Sequence, residues 1–286
     1  MADRPLLIVN ADDYGLTLGV SRGILDAHRD GIVTSTSVLA LTPAFAASAA
    51  WLAGAPDLGT GAHLALVGED PPLLGAREIP TLVDAKGRLH LSWRQFLPRA
   101  AARRIDPDDM RRELAAQLER IEGAGITIDH LDTHQNLHLW PSVRDVVMDL
   151  GAARGITVIR VTRSVARSPV GVVVSRLARD LEGRCDRSGW TYAAASTGLD
   201  EAGNLGQRAM VDALRRLYAT GATSAELASH PGENLDPDLA RYQWDYQWGD
   251  ELAALRSPAV RDEIEALGFR LGTFGDLAAV RAGEAS

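Results

Sequence analysis

Ile126-Thr127-Ile128-Asp129-His130-Leu131-Asp132 reads as a short strand, and the helical pattern that follows it opens at Pro141, carries Val143, Val147 and Leu150, and stops at Gly155. Ile156 to Thr162 is a second apolar, β-branched run directly after that stop. A strand, a helix and another strand in close succession predict a parallel pair joined by a crossover helix.

The same alternation extends in both directions. Pro5 to Asn10, Ile32 to Leu41, Leu58 to Leu66, Ser224 to Ser229 and Phe269 to Phe274 read as five further strands. Asp106-Pro107 caps a helix whose face is Met110, Leu114, Leu118 and Ile121, and Ser257-Pro258 caps another with Val260, Ile264 and Leu267 before Gly268. Seven strands alternating with helices predict an α/β fold of one domain, a closed or nearly closed barrel of parallel strands with outer helices. Two stretches interrupt the alternation, residues 67–105 and 163–205, and long connections of this kind are expected to lie over the strand C-termini and shape a substrate cleft.

Composition excludes several classes of function. The 286 residues, 46% hydrophobic and 24% charged, are enough for a large core, and the net charge of -8 argues against sequence-independent nucleic-acid binding. Cys185 is the single cysteine, so any metal must be held by nitrogen and oxygen ligands. The N-terminal segment has only Leu6 to Val9 before Asn10-Ala11-Asp12-Asp13, too short and too acidic for a secretory leader, which makes the cytoplasm the expected location.

Chemistry-bearing residues concentrate at strand ends. Asp12 and Asp13 follow the first strand, His63 lies near the end of the third, His130 to His138 ends the fourth, and His230 ends the sixth. In a parallel α/β fold these ends share one face, where active sites are built. His130, Asp132 and His134 share a side if the chain is extended, whereas His134 and His138 share a face if it turns helical. Either arrangement can hold a divalent ion and leave positions open for water or substrate. Two imidazoles favour zinc, and an oxygen-rich shell would suit magnesium. Asp12 and Asp13, being adjacent, cannot point the same way from a regular strand; one can ligate while the other serves as a general base. His230, before Pro231-Gly232, is placed to protonate a leaving amine or steady an oxyanion.

Taken together, these residues resemble the YdjC-like carbohydrate deacetylases. The matching blocks are Ile8-Val9-Asn10-Ala11-Asp12-Asp13-Tyr14-Gly15, Gly31 to Ser37, Gly61-Ala62-His63-Leu64, His130-Leu131-Asp132-Thr133-His134 and Ser229-His230-Pro231-Gly232, in family order across nearly the whole chain. The resemblance implies a distorted (β/α)7 barrel that removes acetyl groups from N-acetylated amino sugars with one divalent metal ion. It implies Asp13, His63 and His134 as metal ligands, Asp12 as catalytic base and His230 as the second acid/base group, with Asp132 orienting a ligand. His138, Tyr14 and Trp140 are further candidates for supporting the ligands or meeting substrate.

One departure is Asn136, where family members commonly carry a histidine. The run from His134 to Pro141 and the aromatic stretch Tyr242-Gln243-Trp244-Asp245-Tyr246-Gln247-Trp248 look most like the branch associated with hopanoid biosynthesis, HpnK, which implies an N-acetylglucosaminyl hopanoid lipid as substrate. A lipid substrate would require peripheral contact with the inner membrane face, for which residues 170–179 are an apolar and basic candidate; a buried helix explains the same run. The nearest alternative substrate is a soluble chitooligosaccharide. A phosphoesterase would recruit basic residues that the aspartate-histidine blocks lack, and a non-catalytic sugar-binding protein would lack a ligand or the base.

Overall fold

Leu6–Tyr14 forms β1, the axis of the sheet, and all nine of its residues are buried. A strand covered on both sides tolerates no exposed face, which is why Leu6 to Val9 is continuously apolar. The computed structural model describes residues 4–284; Met1 to Asp3, part of the segment read as no leader, lie outside the described residues. The remaining strands are β2 (Ser35–Val38), β3 (Gly59–Leu64), β4 (Leu131–Thr133), β5 (Ala195–Thr197), β6 (Ser224–Ser229) and β7 (Arg270–Leu271).

All pairings between these strands are parallel, in the order β4-β3-β2-β1-β6-β5. β7 pairs with Leu6 and Leu7 at the start of β1, below the point where β2 joins it at Asn10. The open side is bridged by two isolated pairings, Leu131 with Ile159 and Val158 with Thr191. They carry the hydrogen bonding from β4 through residues 157–160 to Thr191, from which the chain runs into β5 and so to β6. The sheet therefore curls into a distorted barrel of parallel strands surrounded by helices, as expected.

Several strands are shorter than the sequence reading: Ile126 to Asp132 gives only Leu131–Thr133, Ile32 to Leu41 only Ser35–Val38, and Phe269 to Phe274 only Arg270–Leu271, with Phe274 opening a helix. The largest difference lies in one region. Ile156 to Thr162 is held by isolated bridges rather than a continuous ladder, and β5 lies inside the stretch read as a long connection. That stretch also contains a helix of twenty residues, Pro169–Ser188. Short, partly polar runs such as Ala195-Ser196-Thr197 carry too little local signal to be recognised, because their pairing with Ala225 to Leu227 is non-local.

The helix read from Asp106 behaves as its cap and stripe predict, whereas the Ser257 side chain donates to Gln207 Oε1 rather than capping its helix, which buries Val260 and Ile264. Pro107–Gly123 starts on Asp106, whose side chain accepts from Asp108 N–H, and buries Met110, Leu114, Leu118 and Ile121; loss of such a cap costs about 1 kcal/mol. The same helix buries Asp109, Glu113 and Gln117. Asp109 takes the backbone N–H of Thr81, Glu113 those of Leu73 and Leu74, and Gln117 bonds both backbone groups of Ala65. An irregular connection is ordered because helical side chains satisfy its backbone.

Candidate active site

Strand register brings the polar residues together. Ala11 pairs with Ser229, so Asp12 and His230 follow side by side at the ends of β1 and β6; His63 pairs directly with Asp132 across β3 and β4. The adjacency of Asp12 and Asp13 is resolved by the backbone. The β1–β2 register shifts between Ala11 and Tyr14, and Asp13 adopts φ 70°, a left-handed conformation that aspartate tolerates better than most residues. This bulge turns both carboxylates into one cleft, of about 780 Å³.

Asp13, His63 and His134 form a closed triangle. Asp13 Oδ1 lies 3.3 Å from His63 Nε2 and 3.4 Å from His134 Nδ1, and the two imidazole nitrogens are 3.4 Å apart. All three residues are buried, and Asp13 Oδ1 has no hydrogen-bond partner among the described residues. A buried carboxylate oxygen left bare between two converging imidazole nitrogens fits a cation site. The alternative trio of Asp12, His63 and Asp132 also lies close together, but its acids are already engaged by Arg160.

Each member of the triangle is fixed from behind. His63 Nδ1–H donates to Asp132 Oδ1 at 2.9 Å, which leaves Nε2 facing Asp13. Asp132 Oδ2 accepts from Ser37 Oγ at 2.9 Å and from Arg160. Burial lowers the affinity of His63 for a proton, but Asp132 and Asp13 outweigh it and hold its pKa well above the usual histidine value. Burial pushes Asp13 up, and the two histidines beside it outweigh that, holding its carboxyl well below the usual range.

Asp12 is held by donors. Its Oδ1 accepts from Asn10 Nδ2 at 2.7 Å and from Arg160 at 2.6 Å, leaving Oδ2 toward His230 Nε2 at 3.7 Å. His230 Nδ1 has no partner among the described residues, while its backbone N–H donates to the buried Glu251 at 2.6 Å. Tyr246 packs edge-on against the His230 ring, and Trp244 lies over His134 at 5.1 Å between centroids.

The remaining sequence candidates are distributed differently. His138 is buried away from the cleft, between Thr133 Oγ1 at 2.9 Å and the Arg160 carbonyl at 3.0 Å. Tyr14 is buried and donates to the Ser48 carbonyl, so neither side chain lines the cleft. Trp140 lines a second, predominantly apolar cavity of about 470 Å³ with Leu97, Leu139, Val173, Val174 and Leu177. Trp93, Gln135, Asn136 and Leu199 line both cavities. The question of strand or helix after Asp132 has a mixed answer: β4 ends at Thr133, and an irregular 3-10 turn follows in which Gln135 and Asn136 are both left-handed.

Sequence reasoning passed over Arg160 and Glu226. Arg160, 2% exposed, ion-pairs with Asp12, Asp132 and, at 2.7 Å, Glu226. Their signal was present: each is a single charge inside an apolar run, Ile156 to Val161 or Ser224 to Ser229, and a charge in a strand buried on both faces needs a partner. Glu69 and Arg241, which line the cleft, had no such signal.

Comparison with known proteins gives a family and a shared fold. A family model described as YdjC-like protein matches residues 6–266. A carbohydrate deacetylase of Brevibacillus brevis is 35% identical over 50% of this chain, and carbohydrate deacetylase 1 of Listeria innocua is 38% identical over 54% of it; the matches span 54% and 60% of those relatives' own lengths. A chitooligosaccharide deacetylase of Yersinia enterocolitica is 30% identical over 95% of this chain and 98% of its own. A solved structure from Enterococcus faecalis V583, a proposed cellobiose-phosphate cleavage protein, shares the fold with TM-score 0.79 at 24% identity, covering 96% of this chain and 99% of that one.

Proposed function

The chain belongs to the YdjC-like protein family, and on that premise we propose that it is a metal-dependent N-deacetylase releasing acetate from an N-acetylglucosamine group. The observation that carries this reading is the Asp13–His63–His134 triangle with its bare carboxylate oxygen, beside a separately held Asp12 and His230. Amide hydrolysis needs an activated water, a polarised carbonyl and a proton for the departing amine.

A divalent cation held by Asp13, His63 and His134 supplies carbonyl polarisation and makes a water more acidic. The donor set, two imidazole nitrogens and one carboxylate oxygen, supports zinc over magnesium. Asp12, with one oxygen engaged by Asn10 and Arg160, has the other to accept the proton of the attacking water. His230, beside Asp12 at 3.7 Å, carries a proton to the amine nitrogen as the C–N bond breaks, and acetate leaves with the oxygen of the water. Asp132 keeps the His63 tautomer, and Arg160 keeps Asp12 aimed.

The connections 67–105 and 163–205 shape the substrate cleft in this reading, as part of one deacetylase domain; Trp93 and Leu199 come from them. The substrate is the N-acetylglucosaminyl hopanoid implied by the HpnK resemblance. The apolar cavity adjoining the polar cleft supports it, since an apolar aglycone is stabilised by burial against such a wall. Val170, Val172 and Val173, at 49%, 60% and 53% exposure on the helix Pro169–Ser188, are the proposed peripheral contact of a cytoplasmic protein with the inner membrane face. Among the described residues no helix is long and apolar enough to cross a membrane. The second reading, soluble chitooligosaccharides, is favoured by the near full-length match to the Yersinia protein.

The test is acetate release from an N-acetylglucosaminyl hopanoid and from diacetylchitobiose by zinc-loaded, chelated and Asp12→Asn protein. Turnover of the lipid that is lost on chelation and in the variant is expected. Turnover of diacetylchitobiose alone would keep the chemistry and replace the substrate, and acetate from neither would overturn both.

A further inference from the structure

Glu69 stands in the cleft with one oxygen spoken for and one free. Its Oε1 accepts from Trp244 Nε1–H at 2.9 Å, whereas Oε2 is buried and has no hydrogen-bond partner among the described residues. Trp244 also lies over the ring of His134, so a single indole spans the distance from the candidate ion site to this carboxylate. The next residue, Asp70, is 5% exposed and is tied to Tyr242 Oη at 2.8 Å and to Arg241, which anchors the loop to the aromatic segment opposite.

A buried carboxylate oxygen without a partner is costly to desolvate and is expected to meet a donor. The donor does not come from the described residues, and Glu69 lines the cleft beside Trp244. We infer that Glu69 is a specificity-determining residue that accepts a hydrogen bond from one ring hydroxyl of the bound amino sugar. This rests on the deacetylase reading for the identity of the sugar. It adds the group that selects a polyhydroxylated ring over a simple N-alkylacetamide. The carboxylate does not take part in the bond-breaking step, because Asp12 and His230 already supply the proton acceptor and donor.

The chemistry of the indole makes the variants informative. Trp244 Nε1 can only donate, so in Glu69→Gln the amide oxygen stays on the indole and the amino group is turned into the cleft. A sugar hydroxyl can reverse to accept from that group, so E69Q loses charge assistance but keeps a bond. Glu69→Ala loses both. Charge-assisted hydrogen bonds correspond to about ten- to hundredfold in binding.

The experiment measures kcat and KM for acetate release from methyl N-acetylglucosaminide and its 3-, 4- and 6-deoxy analogues, together with calorimetric binding of the parent glycoside. Expected are a KM about ten- to hundredfold higher in E69A, a smaller rise in E69Q, and kcat within about twofold in both. For one deoxy analogue E69A should cost nothing further. An equal loss on all four substrates, or a fall in kcat with KM unchanged, would overturn the assignment in favour of simple support for Trp244. Should wild-type protein bind the glycoside without releasing acetate, the deacetylase reading fails alone, and weaker binding by E69A still upholds Glu69. No binding and no turnover overturns both.

Discussion

Asp132 stands directly opposite His63 in the parallel register of β4 and β3, and its Oδ1 accepts His63 Nδ1–H at 2.9 Å. The same carboxylate takes Ser37 and Arg160 on its other oxygen, so all of its neighbours are donors. Replacing it by an amide must turn an N–H toward one of them. Asp132→Asn is therefore expected to weaken zinc affinity about ten- to a hundredfold while the fold survives, as loss of a ligand's supporting group generally does; competition against a chromogenic chelator measures it, and unchanged affinity would remove Asp132 from the site.

Arg160 ion-pairs with three buried carboxyl groups at once. Truncation in Arg160→Ala strands Asp12, Asp132 and Glu226 together, and breaking a buried ion pair from one side typically costs about 3–5 kcal/mol. Urea unfolding should show a loss of at least that size. Arg160→Lys, a point charge in place of a fork, should recover part of the stability but little of the activity.

His138 gives the stability a predictable acid limb. Burial lowers its pKa to about 4, from about 6.5 in an unfolded chain. Between those values the unfolded chain takes up a proton that the folded protein refuses, so stability is complete above pH about 6.5 and falls as pH drops toward about 4, by as much as about 3 kcal/mol. His138→Gln should flatten that interval in denaturant titrations at a series of pH values. An unchanged slope would mean that His138 is not the group responsible.

Asn136, where the resemblance led to the expectation of a histidine, is not part of the ion triangle: its Oδ1 accepts from Thr162 Oγ1 at 2.6 Å. Its left-handed backbone, φ 54°, is one that asparagine and histidine both tolerate. Asn136→His is expected to leave zinc stoichiometry unchanged and kcat within about threefold, since only a neutral hydrogen bond of about 1 kcal/mol is exchanged. Metal analysis and acetate release check both, and a second equivalent of bound zinc would contradict the triangle as the sole site.

Val174 lines the apolar cavity and not the polar cleft. Val174→Asp should lower kcat/KM for a lipid-linked substrate by about tenfold or more, the effect of a charge placed where apolar surface is to be buried, with diacetylchitobiose unaffected. Parallel losses on both substrates would show that the cavity serves the fold and not the aglycone.

Local pattern alone determined the repeating strand and helix, the cap at Asp106, and the strand-end placement of Asp12, Asp13, His63, His134 and His230. These follow from periodicities of a few residues and from turn chemistry, which a linear chain displays. Only the tertiary structure decided how two adjacent aspartates share one cleft, because the bulge and the positive φ of Asp13 depend on pairing with β2. It also decided that Ala195–Thr197 is a strand while Ile156 to Thr162 is joined by bridges, that Tyr14 and His138 turn away from the cleft, and that Arg160 gathers Asp12, Asp132 and Glu226. Each of these is settled by partners far away in sequence: a buried charge or a short strand is stable only where the folded chain supplies its counterpart, and no local pattern records that supply.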